Sequence, residues 1–458
     1  MDKPKERGEA LGNDWNYNGG GRSTDDASAS KAMKGGGDSK FKSEKESMKD
    51  LRKMSGSPRS VEIPAKFAPG EPPAPRPAAS VEPMAGTASR TPKSTVRDSQ
   101  SGLLTAGSFD DNLEPEFFRR FAGQLGQFPG LGELAGKMVG HRLTVLIKGS
   151  DGQPVGNARV HITGPRGGPA VELTSRSDGR VVFLSSWDEV PADDELFVTV
   201  TPPGSGKSVK NTVRKGATRW EVVLPATRGE LPRQLDLAIV LDTTGSMSDE
   251  LEYLKAEIRG IAAAVDKKFP QVNKHYGLIL YRDEGDEYVT RRFDFTSSVE
   301  EFRKNLAKQS AAGGGDEPEA MHKALEEALQ LRWREGNTAR VVFSVTDAPP
   351  HAQFMERTMK AADKLRKQGV AIYPVACSGY NNEAEFILRS CALFTGSQFI
   401  FLTDDSGVGN AHGEPHIPFY HVQKLDKMMI RMIAAELSGK RIEPEKGEII
   451  RTVGRPIN

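Results

Sequence analysis

The apolar run Leu235 to Leu241 constrains the fold of this chain more than any other stretch. It lacks the strict alternation of a strand with one wet face, so it reads as a parallel strand covered on both sides. The pattern then repeats. A stripe of Leu251, Leu254, Ile258, Ile261 and Val265 predicts an amphipathic helix, followed by strand Tyr276 to Tyr281. An edge-like strand near Tyr288 to Phe295, helices Ser298 to Gln309 and Glu317 to Leu331, and strand Arg340 to Thr346 continue it. Helix Ala352 to Lys367, strand Val370 to Ala376, helix Glu383 to Leu393, strand Gln398 to Leu402 and a last helix Val422 to Leu437 complete it. Such alternation predicts an α/β fold with a doubly wound, mostly parallel sheet, in which ligands sit at the carboxyl ends of the strands.

Upstream the pattern changes. Residues 1–113 read as a disordered tail and linker, rich in Gly, Ser, Lys, Asp and Pro, with Pro69 to Pro77 as an extended spacer. Residues 114–139 read as a short helical connector, Pro115 in the first turn and Phe117, Phe118, Phe121 and Leu125 on one face. Over 140–226 the period falls to two, with turn clusters such as Ser177-Asp178-Gly179, which predicts an all-β antiparallel sandwich. The α/β domain is expected over 234–405, and 406–458 as a C-terminal loop, helix and tail.

At the end of the first α/β strand stands Asp242-Thr243-Thr244-Gly245-Ser246-Met247-Ser248. A carboxylate and two hydroxyls at alternating positions can turn toward one point, and all are hard oxygen donors suited to Mg²⁺, Ca²⁺ or Mn²⁺. Neutral hydroxyls leave such an ion under-neutralised and open to a carboxylate from another molecule. Further acids fall on the same rim: Asp249 and Glu250 one turn into the next helix, Asp283 after a strand, Asp316 and Glu319 in Gly313-Gly314-Gly315-Asp316-Glu317-Pro318-Glu319, and Asp347 in Thr346-Asp347-Ala348. Each also has an ordinary role as a first-turn acid, an N-cap or a turn residue. Together they repel one another unless a cation or a basic partner neutralises them. His351 reads as a structural turn histidine rather than a catalytic base, and His412 and His416 as loop histidines without the third partner a metal site needs.

These motifs resemble the von Willebrand factor type A domain with its metal-ion-dependent adhesion site, most nearly the integrin β-subunit I-like domain. The family pattern D-x-S-x-S-M-x-D-D-L is matched by Asp242 to Leu251, D-x-P-E by Asp316 to Glu319, and T-D-A by Thr346 to Ala348. The resemblance implies that Thr244, Ser246 and Glu319 bind a central ion directly, and Asp242 and Asp347 directly or through water. Asp249 and Glu250 take the place of ligands to a neighbouring regulatory ion, and Asp283, Asp316 and Glu319 that of a third ion's ligands. Gly314 stands where the integrin pattern has an asparagine ligand, and Asp316 is the alternative to Glu319 at the central site. Asp151 to Val160 with Ser177 to Val181 resembles carboxypeptidase-regulatory-like and other immunoglobulin-like domains. Tyr281 to Arg291 and Phe401 to Asn410 also resemble bacterial type A proteins and the type A domains found beside alpha-kinases.

The function implied is non-enzymatic, divalent-metal-dependent protein binding, with Mg²⁺ (or Ca²⁺ or Mn²⁺) and a partner presenting an acidic side chain. The alternatives are a scaffold whose ion is only structural, and a metallohydrolase. With 63 Lys and Arg against 62 Asp and Glu, the formal net charge is +1, and nothing global points to nucleic acid. No P-loop is present, and no run approaches the roughly 18 apolar residues of a membrane span. The polar start lacks a signal-peptide core, so a cytoplasmic location is expected if that start is genuine, and an exported one otherwise. Cys377 and Cys391 read as two buried thiols.

Overall fold

A computed structural model of the chain describes residues 101–125, 131–165, 167–191, 195–204 and 207–455. The expected tail lies outside the described residues up to residue 100. In chain order the elements are β1 (Thr105–Phe109), α1 (Pro115–Gln124), α2 (Leu131–Met138), β2 (Arg142–Gly149), β3 (Arg159–Thr163), β4 (Ala170–Thr174), β5 (Arg180–Leu184), β6 (Glu195–Thr201), β7 (Val209–Arg214) and β8 (Arg219–Leu224). Then follow β9 (Gln234–Asp242), α3 (Leu251–Lys268), β10 (Asn273–Tyr281), β11 (Thr290–Thr296), α4 (Val299–Ala307), α5 (Met321–Leu329), β12 (Thr338–Thr346), α6 (Met355–Lys367), β13 (Ala371–Ala376), α7 (Asn382–Thr395), β14 (Phe399–Leu402), β15 (Phe419–Lys424), α8 (Leu425–Ser438) and β16 (Arg451–Gly454).

A nine-stranded sheet, ordered β11-β10-β9-β12-β13-β14-β1-β15-β16, forms the centre. Strands β10, β9, β12, β13 and β14 run parallel, and the remaining pairs are antiparallel. Strand β9 shows why its sequence carries so few polar residues. Leu235, Leu237, Ile239 and Leu241 enter one core, shared with Leu254, Ile258 and Ile261 of α3 and Met428, Met432 and Ile433 of α8. Ala238 and Val240 enter the opposite core, shared with Met321, Leu325 and Ala328 of α5, Met359 and Leu365 of α6, and Phe386 and Ile387 of α7. Each face is covered, as parallel sheets require.

Four expectations need correction. Thr105–Phe109, expected in the tail, form β1 inside the central sheet, between β14 and β15. The buried Glu257 of α3 seats this segment: its carboxylate accepts the backbone N–H groups of Gly102, Leu103 and Leu104 at 2.8, 2.9 and 3.1 Å and the Ser101 hydroxyl at 2.8 Å. The last helix starts at Leu425 rather than Val422, because Phe419–Lys424 pair with β1 and β16. Strand pairing in this sheet therefore continues past residue 405, through β15 to Gly454. Helix α5 starts at Met321 rather than Glu317, because Glu319 forms a β-bridge with Pro350 and its N–H donates to Pro349 O at 2.9 Å.

Residues 142–224 form a three-stranded sheet, β5-β2-β8, and a four-stranded sheet, β4-β3-β6-β7, around one apolar cluster that includes Leu143, Val145, Val160, Ile162, Phe183 and Val198. The fourth correction lies here. Strands β2 and β8 pair parallel, whereas short alternating strands predict only antiparallel neighbours. This two-sheet body meets the α/β domain where strands begin. Arg340 Nη1 near the start of β12 donates to Asn157 Oδ1 at 2.6 Å. Arg176 Nη1 donates to Thr395 O at 2.6 Å, just before β14, and Trp187 packs edge-on against Phe394 with ring centroids 4.8 Å apart. The carboxyl ends of the strands stay clear of these contacts. Cys377 and Cys391 are buried and free. Among the described residues, no helix is long and apolar enough to cross a membrane.

Arg389 of α7 is fully buried and ties the N-terminal segment to the domain. Its Nη2 and Nε donate to the Asp111 carboxylate at 2.6 and 2.9 Å, and its Nη1 donates to Glu385 Oε1 at 2.8 Å. Arg389→Ala strands two buried carboxylates, and a loss of about 3–5 kcal/mol in denaturant unfolding is expected.

Candidate metal centre

The parallel register brings three strand ends to one level. Asp242 lies opposite Tyr281, and Leu241 lies opposite Val345, so Asp242 and Thr346 are level. Asp242 is wholly buried. Its Oδ1 accepts the Thr244 N–H at 2.9 Å and the Thr244 hydroxyl at 2.7 Å, and its Oδ2 accepts the Thr346 hydroxyl at 2.9 Å. Because the Thr244 hydroxyl gives its proton to Asp242, its lone pairs are left for something else. Its oxygen lies 3.2 Å from the exposed Ser246 hydroxyl. The Ser246 hydroxyl in turn lies beside Asp347, which follows β12.

The Gly-rich loop completes the rim. It is laced to the D-x-T-x-S loop by Gly245 N–H to Gly313 O at 3.1 Å and Ala312 N–H to Thr243 O at 3.1 Å. Gly314 sits at φ +72°, and a Cβ there would stand 3.1 Å from Glu319 Oε1 and 3.5 Å from Thr244 Cβ. The glycine thus lets Glu319 close on Thr244.

The electrostatics are unfavourable as they stand. Burial raises the Asp242 carboxyl above its ordinary range. Burial, then the neighbouring Asp242, raise Asp347 to about 7. Burial, then Asp242, Asp283 and Asp347, raise Glu319 to about 9. Glu319 Oε2 and Asp347 Oδ1 are buried without a hydrogen-bond partner. Two hydroxyl oxygens with free lone pairs, flanked by like-charged buried carboxylates and two orphaned oxygens, suit a hard divalent cation. Among the described residues, no three His, Cys, Asp or Glu side chains gather closely enough to hold a metal by themselves. The Thr244 and Ser246 hydroxyls lie at the centre of this rim, with Asp242, Glu319 and Asp347 around them.

The other expected residues are placed differently. Asp316 is exposed and outside the helix it was expected to open, so Glu319 rather than Asp316 comes to the rim. Asp283 Oδ1 accepts from His351 Nε2 at 2.7 Å. Asp249 Oδ2 accepts the Asn410 N–H at 2.6 Å and the Ser378 hydroxyl at 3.3 Å. Glu250 is buried, accepts the Ser378 N–H at 3.2 Å, and lies 2.8 Å from His412 Nε2. His351 and His412, expected to be plain loop residues, thus pair with two of the rim acids. Burial alone would lower the His412 imidazole, but contact with Glu250 and Asp404 holds it above its ordinary value. Nothing in the sequence around His412 marks this, because its partners are 162 and 8 positions away.

A family model described as von Willebrand factor A domain matches residues 236–389, which hold the strand ends just described. The chain contains a von Willebrand factor A domain. It is 27% identical over 188 residues to the alpha-protein kinase vwkA of Dictyostelium discoideum, covering 40% of this chain and 29% of that protein. It is 32% identical over 131 residues to von Willebrand factor A domain-containing protein 7 of Homo sapiens, covering 29% of this chain and 14% of that protein. The chain thus spans under a third of the curated relatives it matches. Among solved structures it is similar to the protein BatB of Bacteroides thetaiotaomicron, with TM-score 0.32 and 14% identity over 44% of this chain and 98% of that one.

The raised carboxyls of this von Willebrand factor A domain set a pH dependence. Asp347 and Glu319 keep protons in the folded chain at pH values where the unfolded chain, with ordinary values of 3.8 and 4.5, has lost them. Their contribution to stability is complete at acid pH and drains away as pH rises through about 7 and then about 9. Without divalent ions, the melting temperature should fall between pH 5.5 and pH 9. Saturating Mn²⁺ should raise it by several degrees more at the upper pH than at the lower. Differential scanning fluorimetry across that range checks both.

Proposed function

We propose that the rim binds a divalent cation, Mg²⁺ (or Ca²⁺ or Mn²⁺), and uses it to hold an acidic group of a protein partner without catalysing a reaction. The observation that carries this reading is the pair of partnerless buried oxygens, Glu319 Oε2 and Asp347 Oδ1, beside the Thr244 and Ser246 hydroxyls. A native chain retains such costly groups where something else completes them. The central donors are neutral hydroxyls, so the bound ion keeps enough positive charge to attract a carboxylate from outside. Ser246 is exposed, and the two-sheet body packs at the opposite ends of the strands, so a partner has access. Hydroxyl and carboxylate oxygens suit hard divalent cations such as Mg²⁺, Mn²⁺ and Ca²⁺. This is the chemistry of a metal-ion-dependent adhesion site. We read the two-sheet body as an immunoglobulin-like module that presents the domain. That role is supported by its separate core and its contacts away from the rim.

Asp242→Ala should abolish Mn²⁺ binding measured by calorimetry and leave the far-ultraviolet circular dichroism unchanged. Partners recovered from native lysate on the wild-type chain should be lost with chelator and lost on the Asp242→Ala chain. Full Mn²⁺ affinity in Asp242→Ala, or recovery that ignores chelator, overturns the proposal. Metal-dependent turnover of phosphate or ester substrates that is lost in Asp242→Ala would replace it with a hydrolytic role.

A further inference from the structure

We infer that this chain takes up a single divalent ion, because two histidine side chains already hold the acids that flanking ions would need. The inference rests on the metal-binding reading of the rim. The family resemblance supplies places for a regulatory ion at Asp249 and Glu250 and for a third ion at Asp283, Asp316 and Glu319. In this structure the residues present do not fit either.

At the first place His412 lies between two carboxylates. Its Nε2 is 2.8 Å from Glu250 Oε1, and its Nδ1 is 2.8 Å from Asp404 Oδ1. Nδ1 makes the hydrogen bond to Asp404, while Nε2 lies against Glu250 without an aligned hydrogen bond. The His412 and Glu250 side chains are 2% and 1% exposed, so the imidazole fills the space beside the carboxylate. The loop that carries His412 also closes the space. Asn410 N–H takes Asp249 Oδ2, and a Cβ on Gly409, at φ +84°, would stand 2.3 Å from Glu250 Oε1. The backbone therefore rests directly on the carboxylate. Of the two acids, Asp249 Oδ1 is the atom left buried without a partner. A single oxygen does not make a site for an ion that needs six or more.

At the second place His351 Nε2 donates to Asp283 Oδ1 at 2.7 Å. Asp286 Oδ2 accepts the N–H groups of Asp283 and Gly314 at 3.1 and 2.8 Å, which holds this loop on itself. Gly314 contributes no side-chain donor, and Asp316 is exposed. Imidazole nitrogens thus sit against an acid at both flanks.

Mn²⁺ uptake by the full chain, followed by electron paramagnetic resonance of the free ion, tests this. One ion per chain in the wild type, and none in Asp242→Ala, supports the inference. Two or three ions in the wild type overturn it while leaving the metal-binding reading intact. No ion at all overturns that reading itself. In His412→Ala the imidazole no longer fills the space beside Glu250, and a second, weaker Mn²⁺ should appear. A His412→Ala chain that folds and still takes one ion overturns the role given to the imidazole.

Discussion

The register of three parallel strands governs everything at the rim. With Leu237 opposite Tyr276 and Val341, and Leu241 opposite Leu280 and Val345, the strands β10, β9 and β12 finish at the same height. Asp242, Asp283 and Asp347 then leave one edge together, and the Thr346 hydroxyl reaches Asp242 across the gap. A slip of one residue would move each apolar side chain of β9 to the other face and carry Asp242 away from Thr346. The two hydrophobic cores hold that register, and the assembled carboxylates are the strain it imposes. The core supplies the stability that like charges at the rim consume.

The surrounding architecture leaves that rim open. Buried polar links, not apolar area alone, join the two-sheet body to the α/β domain. Arg366 donates to Val182 O at 2.7 Å and pairs with Asp188 and Asp363. Arg176 pairs with Glu436 of α8, which also accepts the Ser177 hydroxyl at 2.8 Å and the Tyr373 hydroxyl at 2.7 Å. Such links are geometrically demanding, so they fix orientation more than they add stability. They lie at the amino ends of the strands or along α8, opposite the rim that carries Asp242.

Much of the α/β domain was legible because parallel strands and their helices write distinct periods into the chain. The Asp242 motif was legible for the same reason: its residues are neighbours in sequence, and a strand end dictates which way they turn. The choice between Asp316 and Glu319 was not. It turned on whether the helix began before or after Glu319, and a bridge to Pro350, 31 positions later, decided that. Strands β1 and β15 were missed because each is short, and each becomes a strand only by pairing with the other and with β14 or β16. Local propensity carries little of such a signal.

The amino-acid order alone determined the alternation of strand and helix, the hard oxygen chemistry of Asp242, Thr244 and Ser246, and the crowding of acids near strand ends. Those are properties of side chains and of local period. The tertiary structure alone decided which acids share a charge problem and which have it solved. Asp347 and Glu319 are left with partnerless oxygens, while Glu250 and Asp283 meet imidazoles from distant loops. Coulomb energy and burial depend on distance in space, and chain folding sets that distance independently of separation along the chain.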